Sequence, residues 1–425
     1  MNFYTYRITG ILYLIMAPFI NELRIQNFGA IGDGFELNNG YIKFNQNTLL
    51  CGTQGTGKST VAKLYSTFVW LEKALLRGDF KVKDLERGKT FVNKYLKFQN
   101  IDSYVKVDSY LHYKGECYDF KFEDEKLSAF EHSVPTYVRP QISYIAAERN
   151  LLSLLGKDAK QSKILPPSLL FMLGDYIVAC ENLKGDIELP VNNVKFKFDR
   201  LNKISKIFSD SFNIKVSEAS SGLQSSIPLF VTLRYLYDKI INGIYEEKKS
   251  QDEIEKNEKR IKEVLEDNTL TAETRTMLIK MLSNNTSKRL VSIVEEPEQN
   301  LFPDSQEKLV YELLHLSGLG NNQLVMTSHS PYIINYLTLA IKAKQVYDVL
   351  KNEESKQKLS AIVPTQSMID GNSLTIYELT FDGKIKLLEP YNNMPSDENM
   401  LNSILEDTNR KYSEILDIRD DEEEE

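Results

Sequence analysis

Cysteine is scarce in this chain, which has three among its 425 residues, at positions 51, 117 and 180. Their odd number and wide spacing argue against a disulfide framework and a zinc module, and they favour a reducing, cytoplasmic location. Basic charge is also in short supply, because 52 Lys and Arg face 60 Asp and Glu. That balance argues against a non-specific DNA coat protein, so any contact with nucleic acid has to come from a local patch.

Long apolar runs are missing as well. The most apolar stretch, residues 8–20, is too short to span a bilayer, and residues 21–25 after it resemble a strand rather than a cleavage site. We therefore expect no contact with a membrane, and interpret residues 8–20 as a buried segment or as an extension upstream of a start at Met16 rather than Met1. With 42% apolar and 26% charged residues, the composition is that of a globular protein with one large or two ordinary domains.

The first part of the chain alternates between strand and helix patterns. Residues 19–31 and 41–51 alternate apolar with polar side chains, as strands do. Residues 59–76 repeat apolar side chains at helical spacing, and Gly78 follows where a helix commonly ends. Residues 80–140 are rich in Phe, Tyr and Val, for example in the string FVNKYLKF, and predict a β-rich lobe.

The second part is mainly helical by the same criteria. The helical pattern runs from 142 to 210 and again from 223 to 241, where Pro228 predicts a kink. Residues 245–289 are dense in Glu and Lys and predict an inserted helical hairpin, either an inert elaboration or a docking site for a partner helix. Further strands are predicted at 290–294 and 324–327, and further helices at 305–316 and 401–416.

These patterns predict an α/β chain with five regions. They are a first part of the core with the β-rich lobe (1–150), a helical lobe (151–243), the hairpin (244–289), a second part of the core (290–395) and a C-terminal helix with an acidic tail (396–425).

The strongest motif is a phosphate-binding loop between the second predicted strand and the first predicted helix. Glycines let backbone N–H groups approach phosphates closely, Lys58 brings a positive charge to the β- and γ-phosphates, and the Ser59 hydroxyl suits Mg²⁺. The alternative, a chance glycine-rich turn, is disfavoured by the flanking strand and helix. The loop matches G-x-x-x-x-G-K-[ST] in full and consists of Gly52, Thr53, Gln54, Gly55, Thr56, Gly57, Lys58 and Ser59.

Paired acids end the strand predicted at 290–294. Such a strand delivers its carboxylates to the C-terminal edge of a parallel sheet, where the phosphate loop also lies. One acid can hold Mg²⁺ and the next can orient the attacking water, so we assign Glu295 to the metal and Glu296 to the water. Taken alone, the pattern also suits an ordinary strand that runs into a charged turn.

Two weaker motifs complete the set. Ser221, Gly222 and Gln224 belong to the string SSGLQ, which opens the second long helix and is either a simple N-cap or an anion site. His329 lies in the string TSHSP after an apolar strand, where a structural role is the alternative to a catalytic one.

The order of these four motifs resembles that of ABC-type ATPases, namely Walker A, signature, Walker B with D-loop, and H-loop. Over residues 19–337 the chain resembles the ABC/SMC-like ATPases known as AAA15 or AAA21, which are related to OLD and RecF proteins. The strings EASSGLQS, IVEEPEQNLFPDSQ and TSHSPYI resemble stand-alone bacterial members, including ATPase subunits of antiphage systems such as PARIS and Septu.

The resemblance implies ATP and Mg²⁺ as cofactors and a head-to-tail homodimer, or a higher assembly of such dimers. ATP on the Lys58 loop of one subunit would be capped by Ser221 and Gly222 of the other, and Gln224 would support that turn. His329 would contact the same phosphate in cis, as a catalytic residue beside Glu296 and Lys58. Asn300 and Leu301 would lie on the loop that crosses the dimer.

Three features depart from the family pattern. Glu295 stands where Asp is usual, Leu223 replaces the second signature glycine, and the glutamine lid is not clear. Gln141 and residues 144–150 lie where that lid belongs, and Arg149 either does its work or forms a surface ion pair.

The leading interpretation is an ATP-driven switch that dimerises and regulates a partner effector, such as a nuclease, in antiphage defence. Cleavage by this chain alone is not expected, because no separated acidic cluster follows Pro331. The alternative is a DNA-binding repair ATPase like RecF, for which residues 195–206 (KFKFDRLNKISK) offer either a nucleic-acid patch or a solvated edge of a strand and helix. A third interpretation, the motor of a membrane transporter, requires a membrane-spanning partner.

Overall fold

The computed structural model of the chain describes residues 21–132, 137–155, 165–191, 193–240, 289–318 and 321–424. The N-terminal apolar stretch and the predicted hairpin at 244–289, apart from Arg289, lie outside these residues. None of the described helices combines the length and the apolar character that a bilayer crossing requires.

The predicted α/β class is confirmed, with strands and helices mixed along the chain. The strands are β1 (Asn21–Phe28), β2 (Gly34–Phe35), β3 (Tyr41–Phe44), β4 (Asn47–Cys51), β5 (Val105–Lys114), β6 (Tyr118–Glu123), β7 (Lys126–Glu131), β8 (Pro140–Ile145), β9 (Ile187–Glu188), β10 (Lys195–Asp199), β11 (Ile204–Phe208), β12 (Asn213–Lys215), β13 (Arg289–Glu295), β14 (Gln323–Ser328), β15 (Leu374–Leu379) and β16 (Lys384–Leu387). The α-helices are α1 (Lys58–Arg77), α2 (Val82–Leu85), α3 (Asn150–Leu155), α4 (Pro167–Asn182), α5 (Ser221–Ile240), α6 (Pro303–Ser317), α7 (Pro331–Val349), α8 (Glu353–Ser360) and α9 (Met400–Glu424).

A seven-stranded sheet in the order β2-β16-β15-β4-β14-β13-β8 forms the centre of the molecule. Strands β15, β4, β14, β13 and β8 are parallel. Every residue of β13 is buried, as expected for an inner strand of a parallel sheet that is covered on both faces.

The two faces of this sheet carry separate hydrophobic cores. Along β13, Val291 and Ile293 pack in the core that contains α1. Leu290 and Val294 pack in the core that contains α4, α5, α6 and α7. Alternate residues of a strand point to opposite faces, so this one strand anchors both layers of helices and holds the position of the acids that follow it.

An antiparallel sheet in the order β3-β1-β5-β6-β7 covers α1 and confirms most of the predicted β-rich lobe. The string FVNKYLKF was expected in a strand, and this expectation is wrong because Phe91–Leu96 forms a helical turn of the π type. Phe91 stacks on Phe68 of α1 with ring centroids 5.5 Å apart. Phe91 and Tyr95 of this string therefore pack from a helical turn against α1.

The helical pattern predicted from 142 to 210 holds for α3 and α4 but is wrong for residues 142–145 and from residue 187 onward. Residues 140–145 form the edge strand β8, and residues 187–215 contribute an antiparallel sheet in the order β12-β11-β10-β9. Phe196 pairs with Ile207 across β10 and β11, and both side chains are buried in the core that contains α4. Lysines alternate with these apolar residues, which is the two-residue period of a strand rather than of a helix.

The helices predicted at 59–76, 305–316 and 401–416 are confirmed as α1, α6 and α9, and the one predicted at 223–241 is confirmed as α5 up to Ile240. Helix α5 contains Pro228, which has no N–H to donate to the carbonyl of Gln224, and Ser153 Oγ donates to that carbonyl instead, at 2.7 Å. Leu401, the second residue of α9, is buried, whereas Tyr412 on the predicted apolar face is 64% exposed.

Candidate functional site

Three parallel strands end at the same edge of the central sheet, and each is followed by a predicted site residue. Cys51 of β4 lies opposite Ser328 of β14, and Thr327 lies opposite Glu295 of β13. The phosphate loop after β4, the paired acids of β13 and His329 after β14 are therefore brought together. This carboxyl edge is the usual place for ligands in an open α/β sheet.

The phosphate loop has a backbone conformation that its glycines allow. Gly52 has φ 137°, and a Cβ atom there would lie 2.3 Å from the carbonyl oxygen of Leu379. Gly57 has φ 98° and immediately precedes α1. Thr56 Oγ1 donates to the Thr53 carbonyl at 3.0 Å and closes the loop on itself. These positions select glycine, because an L side chain would clash or be strained there.

Lys58 folds back over the loop. Its Nζ donates to the carbonyls of Gly52, at 2.9 Å, and Thr53, at 2.6 Å. Burial lowers the pKa of Lys58 to about 8, although Glu296 and other carboxylates nearby favour its charge. The ammonium is therefore held at the loop by two carbonyls that a phosphate oxygen can replace as acceptor.

Glu295 and Ser59 form the oxygen pair that was predicted for the metal. Ser59 Oγ donates to Glu295 Oε2 at 3.2 Å, and the hydroxyl of Tyr144 donates to Glu295 Oε1. Burial raises the pKa of Glu295, which is 4% exposed. Hydroxyl and carboxylate oxygens fit Mg²⁺, which is commonly held by one or two protein oxygens together with substrate phosphates. No cluster of three or more His, Cys, Asp or Glu suited to a metal occurs in the described ranges.

Glu296, His329 and Lys58 form a chain of hydrogen bonds. Lys58 Nζ lies 3.2 Å from His329 Nδ1, and His329 Nε2 lies 3.0 Å from Glu296 Oε1. Because an ammonium only donates, Nδ1 accepts and the ring proton lies on Nε2, which donates to Glu296. This hydrogen bond holds the pKa of Glu296 below its ordinary value. The Glu296 carboxylate is therefore ionised and oriented at the edge of the loop.

A cleft of about 630 Å³ opens over these groups. Seven predicted residues line it, namely Gln54, Gly55, Gly57, Lys58, Ser59, Glu296 and His329. The sequence reasoning missed six others in its lining, namely Gly29, Ala30, Thr60, Ser103, Tyr104 and Lys106. No local pattern marks them, because they come from the turn after β1, the segment before β5, the start of β5 itself and the first turn of α1.

The signature residues lie outside this cleft. Ser221 is exposed at the start of α5, whereas Gly222 is buried, and a Cβ atom on it would lie 2.5 Å from the carbonyl oxygen of Asn300. Gln224 Nε2 donates to the carbonyls of Ser217 and Ala219, both at 3.0 Å. The signature turn is thus braced from within its own chain and presents Ser221 to the outside.

Arg149 does not form the surface ion pair that was one of its two predicted roles. Its side chain is 0% exposed, and its guanidinium donates to the carbonyls of Ala146, Ser225, Glu295 and Glu296. The surface expectation is wrong because the segment after β8 turns inward beneath the end of β13.

Two further residues of the site were missed. Tyr144, the penultimate residue of β8, donates to Glu295, and the string YIAAERN was the only signal for it. Glu298 accepts from Ser328 Oγ at 2.7 Å and from the N–H of His329 at 2.8 Å, so it joins the segment after β13 to the end of β14. Burial raises the pKa of Glu298. The fourth residue of EEPE is therefore a structural brace for His329.

Comparisons with known proteins agree with the ATPase prediction for part of the chain. The chain is similar to the SMC head domain from Thermotoga maritima, with 10% sequence identity and a TM-score of 0.38 over 88% of this chain and 99% of that one. It is also similar to the SmcHead bound to the C-winged helix domain of ScpA, with 8% identity and a TM-score of 0.38 over 87% of this chain and 97% of that one. A third similar structure is the Smc head domain with an extended coiled coil bound to the C-terminal domain of ScpA, derived from Pyrococcus furiosus, with 9% identity and a TM-score of 0.36 over 94% of this chain and 99% of that one. No curated protein was found to match the sequence. Residues 168–334 match the family described as AAA ATPase domain, AAA_15. This region, which carries the signature turn, the paired acids and His329, thus has the sequence pattern of an AAA_15 ATPase domain.

Proposed function

We propose that the chain binds ATP with Mg²⁺ and hydrolyses it in a head-to-tail homodimer, where the signature turn of one subunit covers the cleft of the other. One observation carries the proposal. Lys58, Glu296 and His329 converge on a cleft that the Ser221 turn of the same chain does not line, while Ser221 itself is exposed. A phosphate site that lacks its signature residues is completed most simply by a second copy.

The groups in the cleft suit phosphoryl transfer to water. Lys58 exchanges its two loop carbonyls for phosphate oxygens and neutralises their charge. Glu296 accepts a hydrogen bond from the attacking water, and His329 fixes its orientation through Nε2. Mg²⁺, held by Ser59 and Glu295, would supply charge stabilisation on the phosphates. Catalysis in this scheme is positioning and electrostatics, which are the two terms that dominate phosphoryl transfer.

The output we propose is a switch. ATP binding brings the two subunits together, hydrolysis releases them, and a partner effector protein such as a nuclease responds to the change, in antiphage defence. The support is the resemblance of EASSGLQS, IVEEPEQNLFPDSQ and TSHSPYI to ATPase subunits of systems such as PARIS and Septu.

Mixing two inactive variants tests whether the site is shared. Lys58→Ala removes the phosphate charge and Ser221→Arg blocks the signature, so each variant alone should be inactive. A hybrid dimer keeps one intact composite site, so an equal mixture should recover up to about a quarter of the wild-type turnover, by random pairing. No recovery at any ratio, with subunit exchange shown by labelled chains, contradicts a shared site and favours one built within a single chain.

A second candidate function is binding of nucleic acid, and one observation favours it. Lys197 lies opposite Lys206 in the register of β10 and β11, and Lys206 lies opposite Lys215 in that of β11 and β12. Like charges directly opposite each other destabilise a sheet, and a bound polyanion would relieve the repulsion. Glu218 partly offsets the repulsion among these lysines, because its carboxylate forms an ion pair with Lys215 at 3.3 Å.

Charge reversal tests this candidate. A chain with Lys197→Glu and Lys206→Glu should bind a DNA duplex more weakly, and the slope of log affinity against log salt should fall by about one for each lysine lost. ATP turnover without DNA should not change, since neither lysine lines the cleft. A wild-type chain that does not bind DNA at low salt removes the candidate.

A further inference from the structure

The buried guanidinium of Arg149 makes hydrogen bonds that an ordinary structural arginine rarely makes. Buried arginines are normally paired with a carboxylate. Every acceptor recorded for Arg149 is instead a backbone carbonyl, and none of the ion pairs in the described part of the chain includes it. A planar fork with five donors suits such a set of fixed acceptors, because several can be bound at once.

Two of the acceptors belong to the acids of the candidate site. Arg149 Nη1 donates to the carbonyl of Glu295 and Nη2 to that of Glu296, each at 2.6 Å. Strand β8 ends at Ile145, opposite Val294, so no further residue of β8 is present to bond Glu295. Glu296 has φ 42°, a left-handed conformation that non-glycine residues seldom adopt. Arg149 thus holds the backbone where β13 stops and turns.

Arg149 also contacts α5, the signature helix, which begins at Ser221. Arg149 Nε donates to the carbonyl of Ser225, at 3.1 Å, one turn after the start of α5. Ser225 Oγ in turn donates to Gln299 Oε1 at 3.2 Å, which adds a second link from α5 to the segment after the acids. The Ser221 turn and the Glu296 backbone are therefore joined through one rigid, buried side chain.

We propose that Arg149 is a positioning residue that couples the signature helix to the catalytic backbone, so that the Ser221 turn and the Glu296 carboxylate move together. The consequence in the dimer rests on the proposed function. There, Ser221 faces the ATP of the partner and Glu296 faces the ATP of its own chain. ATP bound at one composite site therefore sets the geometry of the other, and hydrolysis by the wild type should be cooperative, with a Hill coefficient above one and at most two.

The chain offers a matched control. Arg149→Lys keeps the charge but replaces the fork by one ammonium, which cannot reach all four carbonyls. Ser153→Ala removes the neighbouring hydrogen bond to α5, at the carbonyl of Gln224, and leaves the carbonyls of Glu295 and Glu296 untouched. Arg149→Met, which removes every donor, is the stronger variant, and Arg149→Lys decides if the methionine variant does not fold.

The first measurement is amide hydrogen exchange in the nucleotide-free chains, which does not depend on any ATPase activity. With Arg149→Lys, exchange should become roughly tenfold faster in both segments, 220–226 and 295–301, because both lose a shared tether. With Ser153→Ala it should rise in 220–226 alone. If a folded Arg149→Lys chain exchanges at the wild-type rate in both segments, Arg149 does not hold them together, and this result does not depend on the ATPase activity.

The second measurement is turnover as a function of ATP concentration. Arg149→Lys should bind ATP as the wild type does, lose about 10- to 100-fold in kcat through misplacement of Glu296, and have a Hill coefficient of one. Ser153→Ala should keep both kcat and cooperativity. Wild-type kcat and Hill coefficient in Arg149→Lys overturn the coupling. Absence of turnover in the wild type counts instead against the proposed function, and the exchange measurement still decides on Arg149.

Discussion

The two ends of strand β13 both carry charged residues, but in opposite surroundings. Its C-terminal residue, Glu295, accepts a hydrogen bond from Ser59, and the next residue, Glu296, accepts one from His329. Both Ser59 and His329 line the open cleft. The N-terminal end of the strand is Arg289, which forms a buried ion pair with Glu116. One strand therefore ends in a site at one edge of the sheet and in a sealed charge pair at the other.

The difference lies in what the partners can do. At the cleft, a hydroxyl, an imidazole and an ammonium can each exchange a protein partner for a phosphate or a water. At the opposite end, Arg289 is 8% exposed, Glu116 is 7% exposed, and the guanidinium lies 5.8 Å from the centre of the Tyr137 ring. Both side chains are therefore nearly closed off from solvent. Charges at the carboxyl edge should therefore govern turnover, and charges at the opposite edge should govern stability alone.

The largest expected effect is on turnover, from Glu296→Gln at the cleft. The amide cannot take a proton from the attacking water, so kcat should fall by about 10²- to 10⁴-fold, as for loss of a general base. ATP binding should persist, because Lys58 and its loop are unchanged, and an ATP-bound dimer should accumulate. Turnover assays, equilibrium binding and light scattering measure the three quantities.

Glu148→Gln is the matched control for that variant, since Glu148 is an exposed acid on the segment after β8. It should keep wild-type turnover. Equal turnover by Glu296→Gln and the wild type would remove Glu296 from the catalytic role and leave it a surface acid held by His329.

The next effect is on stability, from Arg289→Met at the sealed end. Removing one partner of a buried pair leaves the other charge unpaired, so the free energy of unfolding should fall by about 3–5 kcal/mol. Turnover per folded molecule should stay unchanged, because Arg289 is at the far end of β13 from the cleft. Denaturant unfolding measures the loss. Lys384→Met is the control, because its ion pair with Glu36 is exposed and its removal should not change stability measurably.

The sequence alone predicts the residues of the candidate site that belong to local motifs. Gly52 to Ser59, Glu295, Glu296 and His329 follow strands in a recognisable pattern, and parallel strands bring such residues to one edge. The four-stranded sheet at 187–215 could not be read in the same way, because its strands are two to five residues long.

Other residues depend on contacts between distant segments. Tyr144 acts on an acid 151 residues away, and Arg149 acts on three carbonyls that are 76 to 147 residues away. Backbone carbonyls carry no sequence signal at all, so the role of Arg149 could not be distinguished from a surface ion pair. The pairing of Glu116 with Arg289 spans 173 residues and is equally silent in the sequence.

The smallest expected effect is on the pH dependence of stability, and it comes from Glu72 of α1, which lies within range of the charges of Glu116 and Arg289. Glu72 Oε1 accepts from the N–H groups of Cys117 and Tyr118, at 2.6 and 3.1 Å. Burial raises the pKa of Glu72 from 4.5 to about 7, and the nearby Glu116 adds to the rise while the two hydrogen bonds oppose it. The folded chain thus keeps the proton of Glu72 over a pH range in which the unfolded chain has lost it.

The sign of the pH dependence follows from this difference. Between pH 4.5 and 7 the folded chain binds more protons than the unfolded one, so stability falls as pH rises and levels off above pH 7. At about 1.4 kcal/mol for each pKa unit, the whole loss is about 3 kcal/mol. Glu72→Gln keeps the oxygen acceptor but has no charge, so it should exceed the stability of the wild type by no more than about 1 kcal/mol at pH 5 and by up to the whole loss at pH 8. Unfolding free energies at pH 5, 6, 7 and 8 test this, with turnover at each pH as the companion measurement. A stability difference that does not vary with pH would show that Glu72 does not titrate in the folded chain, and a change in turnover would break the division between the two ends of β13.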